Sequence, residues 1–128
     1  MKTKMIWANY AVADLNRTTE FYSALGFKSN SRSGDLTSFF FSENNFVIHF
    51  FLKDSIEKNT KVVFVDSQTA NEIIFTLSAE TREEVDQWAK SVEDAGGKIE
   101  SEPEEFGDGY YGFVFSDPDG HKFNVFMM

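Results

Sequence analysis

The chain states one pattern twice. Phe39-Phe40-Phe41-Ser42-Glu43-Asn44-Asn45, running into Phe46-Val47-Ile48-His49-Phe50-Phe51, has the form of Phe113-Val114-Phe115-Ser116-Asp117-Pro118-Asp119-Gly120, running into His121-Lys122-Phe123-Asn124-Val125-Phe126. Each copy is an aromatic strand, a polar turn and a second aromatic strand, with a short strand and an amphipathic helix upstream. A repeat of this size predicts two like modules packed as one body, with a cavity where they face each other. It also names the residues that hold equivalent places in the two halves, and His49 and Asn124 are such a pair.

The local signals give each module the order β-α-β-β-β. A first strand over Met5–Val12 ends at Asp14, a helix N-cap. Thr18, Phe21, Tyr22 and Leu25 then make one apolar stripe on a helix over Leu15–Leu25, closed at Gly26. Phe27–Ser33 is a polar edge strand, followed by strands over Leu36–Ser42 and Phe46–Leu52 with Glu43-Asn44-Asn45 as the turn. In the second module Glu72–Ala79 is a strand, and Thr81 with Glu84 forms a capping box. Val85, Trp88, Ala89 and Val92 supply the helix stripe. Lys98–Glu102 is a short strand, Pro103–Gly109 a loop, and Tyr110–Ser116 and His121–Met128 a hairpin about Asp117-Pro118-Asp119-Gly120. The expected class is α+β, with two helices and about eight strands. The domain is single, 1–128, with module 1 about 1–52, a connector 53–70 and module 2 about 71–128. The connector reads as a linker, a lid or a dimer contact, its apolar run being Val62-Val63-Phe64-Val65.

Composition bounds the partners. Fifteen Phe, four Tyr and two Trp among 128 residues supply an ample core, and the absence of Cys removes disulfides and thiolate chemistry. A net charge of −9 disfavours nucleic acid and anionic lipid, both of which need a basic face. The polar N-terminus lacks a signal-peptide core and no stretch is long enough to span a bilayer, so the expected location is cytoplasmic.

Val12-Ala13-Asp14-Leu15 leading into Phe21-Tyr22-Ser23-Ala24-Leu25-Gly26-Phe27 resembles the opening signature of the vicinal oxygen chelate superfamily, which holds glyoxalase, bleomycin-resistance and extradiol-dioxygenase proteins. Asp117-Pro118-Asp119-Gly120-His121 resembles its closing signature. The resemblance implies two βαβββ modules forming a curved mixed sheet around a cavity, helices on the convex side, and a homodimer. It does not imply one chemistry, since the superfamily hosts lyases, dioxygenases, epimerases and drug-binding proteins.

Strand alternation picks out the concave face independently. Ile6, Ala8, Tyr10 and Val12 form an apolar face suited to packing on the helix, which turns Trp7 and Asn9 the other way. The same parity places Val47, His49 and Phe51, then Ile74, Thr76 and Ser78, then Asn124 and Phe126, opposite the core. The expected ligand-binding cavity is therefore Trp7, Asn9, Val47, His49, Phe51, Thr76, Asn124 and Phe126. His49 reads either as a core histidine bonded to backbone or to Asn124, or as a ligand hook or general base. His121 reads as an exposed turn residue without a role, and Tyr110 and Tyr111 as an edge strand rather than a flap over the cavity mouth.

By the resemblance, metal-using members place His or Glu at four positions that here hold Trp7, His49, Ile74 and Asn124. One imidazole and one amide fall short of the three or four ligands a divalent site needs, so no cofactor and no metal are expected. The first functional expectation is a metal-free protein that binds a small aromatic or amphipathic molecule. The alternatives are a metal-dependent lyase or isomerase of the lactoylglutathione-lyase type using His49, and a dimeric interaction module with a vestigial cavity. No catalytic residue is assigned.

Overall fold

A computed structural model describes residues 1–43 and 46–127, so the turn expected at 43–45 and the end of the last strand lie partly outside the described residues. The chain forms two compact units, Met1–Phe64 and Val65–Met128. The first contains β1 (Trp7–Val12), α1 (Leu15–Ala24), β2 (Lys28–Arg32), β3 (Leu36–Phe40), β4 (Val47–Leu52) and α2 (Lys53–Thr60). The second contains β5 (Phe75–Ala79), α3 (Arg82–Asp94), β6 (Lys98–Glu105), β7 (Tyr111–Ser116) and β8 (Lys122–Met127). Each unit builds one four-stranded mixed sheet, ordered β1-β4-β3-β2 and β5-β8-β7-β6. β1 runs parallel to β4 and β5 to β8, while the remaining pairs are antiparallel. The class is α+β, two βαβββ modules.

Both main helices begin where the sequence signals them. The Asp14 side chain accepts a hydrogen bond from the Arg17 amide at 3.0 Å, and Thr81 Oγ1 accepts one from the Glu84 amide at 3.1 Å. In unit 1 the buried stripe Leu15, Thr18, Phe21 and Tyr22 lies on the sheet. Tyr22, fully buried, stacks on Phe50 at 4.7 Å and meets Phe39 and Phe41 at 5.8 and 5.4 Å. In unit 2, Val85, Ala89 and Val92 face Phe113, Phe115, Phe123 and Val125, all buried, with Trp88 stacked on Phe115. These aromatic clusters fix which face of each sheet is core.

Several expectations need correction. A third helix, α2, occupies Lys53–Thr60, inside the stretch that carried no helix signal. Its one buried residue is Ile56 and no side chain caps its start, so it has neither a stripe nor a cap to read. β6 continues through Pro103 to Glu105; as an edge strand with register shifts it tolerates a residue without an N–H. Ile6 precedes β1 and is 77 % exposed rather than packed on α1. His121 is buried, not an exposed turn residue.

His121 is buried because the turn before it is a docking device. Asp117 Oδ1 accepts hydrogen bonds from the amides of Asp119 and His121, at 3.0 and 2.9 Å. The turn's carbonyls then hold the start of unit 2. Gln68 Nε2 donates to Pro118 O at 2.9 Å, Asn71 Nδ2 to Gly120 O at 3.2 Å, and Lys122 Nζ to both Gly120 O and Ser67 O. Among the described residues no helix is long and apolar enough to cross a membrane.

Candidate functional site

The sheet of unit 1 has a second face, turned away from α1, and register alone builds its chemistry. Asn9 pairs with His49, His49 with Ser38, and Ser38 with Ser31. These four side chains therefore form a polar row across the whole sheet. Next to it, on one side, stands the row Trp7–Val47–Phe40, and on the other Ala11–Phe51–Leu36. A hydrogen-bonding strip is thus held between two apolar ones.

Beside this row lies an open recess of about 570 Å³, lined by Met5, Ile6, Trp7, Asn30, Phe40, Val47 and His49. Among the described residues its walls are apolar except for Asn30 and His49. Asn30 reaches it through a register shift between Ser29 and Ser31 on β2. Such a bulge re-aims a side chain, and here Asn30 Nδ2 donates to Ser38 Oγ at 2.9 Å. Ser38 is itself fully buried and lies 3.1 Å from Ser31 Oγ. The Trp7 ring, half exposed, stands 6.0 Å from that of His49, and Phe51 lies 5.9 Å from it on the other side.

Burial holds the His49 pKa below its ordinary value. The neighbours that β1 and β3 present to it, Trp7, Asn9 and Ser38, carry no charge to offset that. The imidazole is accordingly neutral at pH 7 and the sign of its linkage follows. Its contribution to stability is fully present above about pH 6.5, where folded and unfolded chains are both neutral, and declines as the pH falls through the folded value. We expect the His49 C2 proton to titrate by NMR with a midpoint under that of a model histidine peptide. The acid-side loss of stability assigned to it should vanish in His49→Gln. A midpoint at or above the peptide's removes the desolvated environment described here.

The candidates on unit 2 occupy the corresponding rows. Thr76 pairs with Asn124, Asn124 with Val114 and Val114 with Ser101, so Asn124 holds the place in its sheet that His49 holds in the other. Phe126 is covered from within its own unit: Phe106 and Tyr110 lie 5.1 and 5.4 Å from its ring. Gly112 opposite makes this possible, because a Cβ there would lie 2.4 Å from Val125 O and 3.2 Å from the Phe126 ring. Tyr111 turns to the helix side, its hydroxyl donating to Asp86 at 2.6 Å while Arg82 lies 4.8 Å over its ring and pairs with Glu105. α3 thus places a basic group beside Tyr111 across space.

Of the expected cavity residues, Trp7, Val47 and His49 line the recess, with Asn9 in the polar row and Phe51 in the apolar row beyond it on the same face. Met5, Asn30 and Phe40 line it without having been singled out, Ile6 lines it although alternation assigned it to the helix-packing face, and Ser38 supports it from beneath. The signal for Ser38 was present, since β3 alternates and Leu36, Ser38 and Phe40 share a face. The bulge that carries Asn30 left no trace in the sequence.

A divalent metal site needs three or four protein ligands, most often imidazole, thiolate or carboxylate. Among the described residues no three His, Cys, Asp or Glu side chains gather where they would hold one. Trp7 and Ile74 offer no lone pair suited to such an ion, and Asn124 offers only a neutral carbonyl.

A family profile described as the Glyoxalase/Bleomycin resistance protein/Dioxygenase superfamily matches residues 4–125. Among solved structures, a hypothetical protein from S. aureus is 30% identical, with a TM-score of 0.87 over 100% of this chain and 96% of that one. A glyoxalase-related enzyme from Fulvimarina pelagi is 19% identical, with a TM-score of 0.84 over 98% of this chain and 89% of the other. The fosfomycin resistance protein FosX from Mesorhizobium loti is 14% identical, with a TM-score of 0.72 over 100% and 94%. No curated protein matches the sequence.

Proposed function

The chain belongs to the Glyoxalase/Bleomycin resistance protein/Dioxygenase superfamily, and from that premise we propose that it is a metal-free small-molecule-binding protein whose ligand is aromatic or amphipathic. The observation that carries this reading is the recess on unit 1, of about 570 Å³, walled by Trp7, Phe40, Val47, Met5 and Ile6 and bearing, among the described residues, only Asn30 and His49 as polar groups. A few hundred cubic ångströms of apolar wall with a few fixed polar groups is the usual make-up of a ligand pocket. Trp7 offers a flat face for stacking and is half exposed before any ligand arrives. Such a protein acts by affinity, without turnover.

A thermal-shift and equilibrium-dialysis screen against bicyclic aromatic compounds tests it. A flat ligand of about twelve heavy atoms should bind with a Kd of about 0.3 mM, given roughly 0.4 kcal/mol per atom. Trp7→Ala should weaken that binding about tenfold, through lost stacking and lost apolar area. The half-exposed position of Trp7 means that the unfolding midpoint should barely move. A screen without a binder ends the proposal. So does stoichiometric Ni, Zn, Mn or Fe in the purified protein whose removal lowers the melting temperature, which would favour the metal-dependent lyase instead.

A further inference from the structure

We propose that the recess of unit 1 selects an uncharged flat aromatic whose edge both donates and accepts hydrogen bonds, as a carboxamide or lactam does, and rejects the matching carboxylate. This rests on the binding reading above and specifies the ligand class for the same recess.

The first ground is the orientation of Asn30. One of its two Nδ2 hydrogens is given to Ser38 Oγ, a hydroxyl that is fully buried and also meets Ser31. That bond fixes the amide and turns its carbonyl oxygen away from Ser38, without a hydrogen-bond partner among the described residues, and a carbonyl only accepts. A ligand group meeting it must donate. A carboxylate would bring lone pairs against lone pairs at that point.

The second ground is His49. Among the described residues neither of its ring nitrogens has a hydrogen-bond partner. Burial keeps the ring neutral, so it presents one donor and one acceptor. Asn30 and His49 together ask for a donor and an acceptor on one ligand edge, which is the pattern of an amide.

The third ground is charge. No Lys or Arg lines the recess. Lys28, the cation in the adjoining position of the Phe40 row, sits over the Phe40 ring at 5.9 Å. A desolvated carboxylate without a cation is costly, and the net charge of −9 adds repulsion at longer range. In this scheme Ser38 is a positioning residue: it touches no ligand, and acts by fixing which end of the Asn30 amide is presented.

Equilibrium dialysis of the full chain against 2-naphthamide, 2-naphthoate and naphthalene tests the assignment. We expect 2-naphthamide to bind about tenfold tighter than 2-naphthoate and about fivefold tighter than naphthalene, the scale of one or two net hydrogen bonds. Asn30→Ala and Ser38→Ala should each bring the affinity for 2-naphthamide close to that for naphthalene measured on the same variant. A merely structural role for Ser38 would weaken all three probes alike. Equal or tighter binding of 2-naphthoate overturns the inference, as does an amide preference that survives both substitutions; binding of naphthalene would leave the small-molecule reading standing in either case. Failure of all three probes to bind overturns the binding reading itself.

Discussion

Phe50→Ala should destabilise unit 1 by about 4 kcal/mol, the usual cost of truncating a fully buried phenylalanine, while His49→Ala, one residue earlier, should leave the unit folded and weaken its ligand binding. Phe50 is fully buried, stacked on Tyr22 at 4.7 Å and flanked by Tyr10 and Phe41 at 6.0 and 6.2 Å. Removing its ring leaves a hole between β4 and α1 that these rigid aromatic neighbours cannot close. With a urea m-value of about 2 kcal/mol/M, the midpoint should fall by about 2 M. His49 points to the opposite face, where its ring touches Trp7 and Phe51 and makes no hydrogen bond among the described residues. Its loss should move the midpoint little and weaken a bicyclic ligand about tenfold, the worth of one buried hydrogen bond with its packing. Urea melts and dialysis on the two variants check the pair. Equal destabilisation by both would mean that the two faces of β4 are not core and site.

Gly120→Ala should cost unit 2 about 3 kcal/mol, two effects adding at one atom. The first is conformational: Gly120 has φ of +93°, where any side chain is strained. The second is steric: a Cβ would lie 2.6 Å from Gln68 N and from Ser67 C, which are backbone atoms unable to swing aside. Relief requires moving the 67–68 strand of chain off the turn, and with it the hydrogen bonds from Gln68 to Pro118 and from Asn71 to Gly120. Gly34→Ala is the control, since its Cβ would meet nothing within 4 Å and its φ lies outside the left-handed region. The expected fall in urea midpoint is about 1.5 M for Gly120→Ala and close to zero for the control. A wild-type melt for Gly120→Ala would show that the closing turn does not hold the start of unit 2.

Much of this molecule is legible before folding because its signals are local. Asp14 and Thr81 cap the two main helices, the Thr18–Phe21–Tyr22 and Val85–Ala89–Val92 stripes bury them, and alternation within β4 separates Phe50 from His49. The parts that were not legible lack such a signal. α2 is anchored by Ile56 alone. His121 is a polar residue after a turn, and nothing nearby in sequence says that residues 67–71 will cover that turn. Asn30 lies in a strand with every residue exposed, and only an irregularity in pairing sends it to the recess.

The sequence by itself determined the doubled βαβββ order and which side of β1, β4, β5 and β8 is core, because helix stripes and strand alternation are properties of a few consecutive residues. Only the tertiary structure decided that Asn9, His49, Ser38 and Ser31 stand in one row and that Arg82 reaches Tyr111. Those neighbours meet through pairing register and packing between segments distant in the chain, and a shift of one residue in any of these pairings would send the partner side chain to the other face.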